Sequence, residues 1–200
     1  MTTKSTETVA GLLLAAGGGR RLGGRPKALL QHRGRPLVEH AVRTLRAGGC
    51  DPVHVVLGAA AGDVRARAVL EGCQVTENPD WEEGMGSSLR AGLGALADTS
   101  ASAALVLLVD QPGIGAAAVA RVLAAYDSPA TLAAAAYGGE RGHPVLFGRD
   151  HWTGIAASAS GDRGARAYLK ERAGVLELVE CGDIAEAYDI DTEADLEHLE

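Results

Sequence analysis

The chain has 200 residues, of which 46% are hydrophobic and only 4% aromatic, so Ala, Leu and Val must fill a real core and a disordered chain is excluded. A formal net charge of -7 argues against broad electrostatic binding to nucleic acid, which needs a basic face. Three cysteines, Cys50, Cys73 and Cys181, form no CxxC pair and argue against a disulfide framework or a structural zinc site.

Residues 1–8 are polar and read as a disordered tail, with residues 9–200 as one domain. The apolar run behind the tail is too short to span a bilayer and lacks a secretory cleavage site, which predicts a cytoplasmic protein that does not enter membranes. That run, "TVAGLLLAA", reads as a buried strand. "PLVEHAVRTLRAGG" reads as a helix, with Leu37, Ala41, Val42 and Leu45 on one face and Gly48 and Gly49 ending it. "PVHVVLG" is a second strand, "GDVRARAVLEG" a short helix and "CQVTEN" a third strand. "SSLRAGLGAL" reads as a helix capped by Ser87 or Ser88. "AALVLLVD" is an unbroken apolar strand ending in Asp110. "GAAAVARVLAAY" is a helix. "TLAAAAY" and "HPVLFG" are strands around Gly138 and Gly139. "DRGARAYLKERAG" is a helix, "VLELVE" a strand, and "DTEADLEHL" a last helix with Thr192 as its cap. Strands alternate with helices and the strands are near-continuously apolar. The pattern predicts an α/β fold: a mostly parallel sheet in a three-layer αβα sandwich.

In such a sheet, ligands bind beyond the carboxyl ends of the strands. There the first strand runs into "GGGRRLGGRPK". Glycines let backbone N–H groups converge on an anion, and Arg20, Arg21, Arg25 and Lys27 add charge suited to a polyphosphate. The Walker pattern is absent, because Lys27 follows Pro26 and precedes Ala28. The dinucleotide pattern GxGxxG also fails, because the required glycine falls on Leu22 or Arg20. Asp110, at the end of an apolar strand, should emerge at the same edge, where a carboxylate suits a metal ion.

The loop, "LLAAGGGRRLGGRPKALL", resembles the signature of the nucleotidyltransferases that build the dinucleotide forms of the molybdenum cofactor. Gly17, Arg21, Gly23, Lys27 and Leu30 match. Gly19 stands where that family has Ser, Leu22 where it has Met, and one extra residue precedes Lys27. Further blocks follow in the family's order: "NPDWEEGMGSSLRAGL", "LLVDQP", "GERGHPVLF", "GDRGARAYL" and "DIDTEADL".

The resemblance implies a Rossmann-like nucleotide-diphospho-sugar transferase fold and transfer of a nucleotide to a phosphate, with release of pyrophosphate. It implies Mg²⁺ on Asp110 and Asp191, with Asp189 as an alternative ligand. Arg21, Lys27 and Asp110 would be catalytic. Leu14, Ala15, Ala16, Gly17, Gly18, Gly19, Arg21 and Lys27 would bind the nucleotide. Gly86, Ser87, Ser88, Gly142 and His143 would bind the second substrate. Leu14-Ala15-Ala16-Gly17 together with Asp110-Gln111-Pro112 places the chain with the members that use CTP. The implied acceptor is molybdopterin, and the implied client a hydroxylase of the xanthine dehydrogenase type. The alternatives are a guanylyltransferase, an enzyme acting on another small phosphorylated metabolite, or a non-catalytic nucleotide or cofactor carrier.

Overall fold

β1 (Val9–Ala15) is buried along almost its whole length. A strand with no polar face must lie between two covering layers. In the computed structural model, which describes residues 7–199, it does. Of the tail drawn at residues 1–8, residues 1–6 lie outside the described residues, and the Thr8 carbonyl accepts the Ser102 N–H at 2.8 Å.

After β1 come a small hairpin, β2 (Gln31–His32) and β3 (Arg35–Pro36), then α1 (Leu37–Ala47), β4 (Val53–Leu57), α2 (Ala61–Arg67) and β5 (Gln74–Glu77). α3 (Met85–Ala97), β6 (Ala103–Leu108), α4 (Ala116–Leu123), β7 (Leu132–Tyr137) and β8 (Glu140–Gly148) follow. α5 (Trp152–Ser158), α6 (Arg166–Glu171) and β9 (Glu177–Glu180) lead to a last 3-10 segment, Glu193–Leu199. Seven strands form one sheet in the order β5-β4-β1-β6-β8-β7-β9. β8 runs antiparallel to both neighbours, and the other pairings are parallel.

Successive strand residues point to opposite faces. Leu13 and Ala15 pack with Val53, Val55 and Leu57 of β4 under α1, α2 and α4. Ala10, Leu12 and Leu14 pack with Val106 of β6 under α3, α5 and α6. The result is the predicted three-layer αβα sandwich. Strand order reverses beside β1, with β4 on one side and β6 on the other, so a crevice opens beyond the carboxyl ends of β1 and β6. There the Val109 N–H donates to the Leu14 carbonyl at 3.1 Å, which leaves Asp110 at the sheet edge.

Several elements differ from the sequence-based expectation. α3 begins at Met85, with Gly84 at its N-cap and no side-chain cap. β8 begins at Glu140, because Gly138 (φ 62°) and Gly139 (φ 82°) form a two-residue hairpin turn. Gly164 (φ 51°) interrupts the helix expected over "DRGARAYLKERAG", leaving only α6. Among the described residues, no helix is long and apolar enough to cross a membrane.

Candidate active site

The glycine loop folds back on itself. The Gly19 carbonyl accepts the N–H groups of Leu22 (2.8 Å) and Gly24 (3.0 Å), and Arg25 Nε donates to the Leu22 carbonyl at 3.0 Å. Gly19 has φ 59°, and a Cβ there would fall 2.0 Å from the Arg25 carbonyl oxygen. The extra residue before Lys27 and the Gly at position 19 are therefore one feature. The returning chain occupies the space that a serine side chain would need. A Gly19→Ser variant should lose nucleotide affinity, read by calorimetry, because either the left-handed turn or the Arg25 carbonyl must move.

Beside this loop four charged groups meet. Lys27 Nζ donates to Asp110 Oδ2 at 2.6 Å and to Asp191 Oδ1 at 3.0 Å. Arg21 donates to the other oxygen of Asp191. Burial opposes charge on Lys27, but Asp110 and Asp191 outweigh it and hold the ammonium above its ordinary range. Burial pushes the Asp110 carboxyl up against the pull of Lys27, and nearby Asp189 adds to the rise. The hydrogen bond from Lys27 holds Asp191 below the usual carboxylate range.

Asp191 is placed by its own segment. The Ile190 N–H donates to the Asp110 carbonyl at 2.8 Å. Asp195 Oδ2 accepts the N–H groups of Asp191 (3.0 Å) and Thr192 (2.7 Å) and the Thr192 hydroxyl (2.8 Å). The predicted cap is thus reversed: Thr192 donates, and the capping group is the Asp195 carboxylate three residues on, the return half of a capping box. Sequence reasoning missed Asp195, although the T-x-x-D spacing of "TEAD" was the available signal. Asp195→Ala should lower turnover about tenfold by loosening Asp191 while leaving the melting temperature nearly unchanged, since small misplacements at a reacting centre are costly.

Asp189 points elsewhere. It accepts from Gln111 Nε2 at 2.7 Å and lines a different cavity from Asp191. Among the described residues, no three His, Cys, Asp or Glu groups converge as a metal cage. Asp110 and Asp191 are two hard oxygen donors that converge on a single ammonium. That donor set fits an ion such as Mg²⁺, which keeps waters and phosphate oxygens as its other ligands, better than it fits zinc.

Two cavities meet here. The first, about 430 Å³, is lined by Gly17, Gly18, Gly19, Arg20, Arg21, Lys27, Asp110 and Asp191. The second, about 390 Å³, has Arg141, Arg163 and Arg166 in its walls and an apolar floor including Leu89, Val145 and Phe147. They share Leu14, Met85 and Leu108.

Of the residues expected at the nucleotide, Leu14, Ala16, Gly17, Gly18, Gly19, Arg21 and Lys27 line the first cavity. Ala15 does not, because its side chain faces the core under α1. Gly142 and His143 line the second cavity. Gly86 and Ser87, expected at the second substrate, line neither cavity. A Cβ at Gly86 would lie 2.7 Å from the Ser160 backbone nitrogen, so that glycine lets two segments touch. Ser87 and Ser88 are 4% and 3% exposed, and both hydroxyls accept from Asn78 Nδ2. Ser88 reaches the first cavity, not the second. Arg163 and Arg166 join Arg141 in the wall of the second cavity, a grouping that no sequence spacing reports.

Desolvation, reinforced by Arg141 and Arg166 and opposed by Asp189, lowers the half-buried His143 from 6.5 to about 4. Its ring is therefore neutral near pH 7. A depressed pKa of this kind gives stability that is complete above pH 6.5 and lost as pH falls toward 4. His143→Gln should flatten that acid slope, measured by melting at stepped pH.

Residues 11–175 match the MobA-like NTP transferase domain. The chain is 44% identical over 191 residues to a protein named nicotine blue oxidoreductase from Paenarthrobacter nicotinovorans, covering 92% of each. It is 35% identical over 151 residues to a molybdenum cofactor guanylyltransferase from Bradyrhizobium sp. ORS 278, covering 73% of this chain and 68% of that one. Among solved structures, Rv0371c from Mycobacterium tuberculosis H37Rv is similar with a TM-score of 0.83 at 30% identity, over 96% of this chain and 97% of that one. A structure of Rv0371c in complex with manganese gives a TM-score of 0.78 at 28% identity over the same shares. With its sheet order and its glycine loop at the strand-order switch, the chain is an enzyme of nucleotidyltransferase fold and belongs to the MobA-like NTP transferase domain family.

Proposed function

We propose that this enzyme transfers a cytidylyl group from CTP to the phosphate of molybdopterin. The observation that carries the reading is the placement of Lys27, Asp110 and Asp191 near the junction between the glycine-loop cavity and a second cavity walled by three arginines. An acceptor phosphate oxygen attacks the α-phosphorus. A P–O bond forms as the bond to the β-phosphate bridge breaks, and pyrophosphate leaves with its electron pair. Such chemistry is mostly positioning and charge stabilisation. Arg21 and Lys27 stabilise charge on the triphosphate and on the departing pyrophosphate. A divalent ion held by Asp110 and Asp191, Mg²⁺ in this reading, would neutralise the same charge when bound. Arg141, Arg163 and Arg166 suit an acceptor that arrives as a phosphate anion. The choice of CTP rests on the resemblance of Leu14 to Gly17 and of Asp110 to Pro112, and a hydroxylase client follows from the cytidylyl product.

A second reading is favoured by one observation, the identity to the nicotine blue oxidoreductase. In that reading the cavities would hold a nicotinamide nucleotide and a coloured substrate. The missing GxGxxG loop counts against it. The experiment is pyrophosphate release with Mg²⁺ and molybdopterin, offering CTP and GTP separately, beside bleaching of nicotine blue with NADH or NADPH. Release with CTP alone supports the proposal. Release with GTP alone overturns the base. Bleaching without release overturns the transferase reading.

A further inference from the structure

We propose that Trp81 is the surface on which the nucleobase packs, so that the nucleotide lies with its base at the β5–α3 turn and its triphosphate at Arg20, Arg21 and Lys27. The inference rests on the nucleotide reading of the first cavity and adds an orientation and a residue to it.

Trp81 opens the short turn Trp81–Glu83 between β5 and α3 and is half-buried. Two separate loops are cleared for it. A Cβ at Gly58, just after β4, would fall 2.5 Å from Trp81 Cβ and 2.7 Å from Cγ. A Cβ at Gly18, just after β1, would fall 2.9 Å from Trp81 Cζ3 and 3.0 Å from Cη2. The indole is thus wedged against the phosphate loop, and Trp81 also borders the cavity. It is a fixed aromatic wall rather than a loose surface side chain.

The cavity is also electrically divided. On the loop side its lining carries Arg20, Arg21 and Lys27 against Asp110 and Asp191, an excess of one positive charge; at the Trp81 side it carries Glu82, Glu83 and Asp162 with no lining cation, only Glu83 being paired, with Arg90 outside the cavity. Asp162 Oδ1 reaches the Gly84 backbone there, 2.6 Å from where a Cβ would stand. A triphosphate is repelled from that side and drawn to the other. An uncharged heteroaromatic ring with amino donors suits the indole and the carboxylates. Stacking of a base on an aromatic side chain is worth enough to shift affinity severalfold to over a hundredfold, and it tolerates either base.

The test uses the full chain, with CTP and inorganic tripolyphosphate as probes, followed in parallel by calorimetry and intrinsic tryptophan fluorescence. The other tryptophan, Trp152, is buried and donates its indole N–H to the Phe147 carbonyl at 2.9 Å, so emission changes at the cavity belong to Trp81. CTP should change the emission, whereas tripolyphosphate should bind without doing so. Trp81→Ala should weaken CTP about tenfold or more and leave tripolyphosphate within about twofold. If CTP and tripolyphosphate change the emission alike, or the variant weakens both alike, Trp81 only packs the loop and the inference is overturned. If calorimetry shows no CTP binding to the native chain, the nucleotide reading itself falls and takes this one with it. Should Trp81→Ala fail to fold, the comparison of the two probes on the native chain decides.

Discussion

Asp110→Asn should lower pyrophosphate release by roughly three orders of magnitude while the fold melts at the same temperature or slightly higher. The two halves of that expectation have one cause. Asp110 emerges from the carboxyl end of β6, 19% exposed, and burial raises its pKa even with Lys27 2.6 Å away. A carboxyl raised in the fold contributes stability that is complete below its unfolded pKa and is lost as pH rises through the folded value. At neutral pH the ionised group is therefore a cost to folding that the site tolerates for its chemistry. Asparagine keeps the shape and an acceptor for Lys27 but removes the charge. Turnover and thermal melting measured on the same preparation test this. Turnover near the native value would remove Asp110 from the mechanism, and a joint collapse of turnover and melting temperature would make its role structural.

The second large effect is expected at Lys27→Met. The ammonium is 13% exposed and is the group that bridges Asp110 and Asp191. Without it, turnover should fall about a hundredfold or more, as electrostatic stabilisation of the departing pyrophosphate is lost. The two carboxylates are then left without their shared cation, and the melting temperature at pH 8 should drop by about 5 °C. Millimolar Mg²⁺ or Mn²⁺ should restore much of that drop, because an ion that binds only the folded pair stabilises by mass action. The same ion should shift the native chain less, since Lys27 already occupies the position between the oxygens. A variant whose melting temperature ignores divalent ions would remove the metal from Asp110 and Asp191, whatever the activity shows.

The layered fold was legible because its strands carry the signal directly. β1 and β6 are runs of small and branched apolar residues with no polar face, and α1 repeats its apolar residues at helical spacing. α5 escaped notice because only Trp152 and Ile155 anchor it within a stretch of Ala, Ser and Gly. The β2–β3 hairpin escaped because its turn uses Arg33 at φ 49° ahead of Gly34, a conformation that sequence assigns to glycine or asparagine. At Ser87 and Ser88 the local capping preference was overridden by burial: Asn78 holds both hydroxyls, and the N-cap lies about one turn earlier, at Gly84. The cluster of Lys27, Asp110 and Asp191 joins side chains 83 and 164 positions apart, which no periodicity reports. Only the order of motifs along the chain pointed to it. The arginines of the second cavity lie within two of those motifs, yet they meet only because α6 and the turn before it pack beside the β7–β8 hairpin.

The two cavities touch through Leu14, Met85 and Leu108, and their other lining residues are distinct. One half of the site can therefore drift while the other is held. On the proposed assignment, exchanging Arg141, Tyr137 or Arg166 would change the acceptor side and leave the lining of the first cavity untouched.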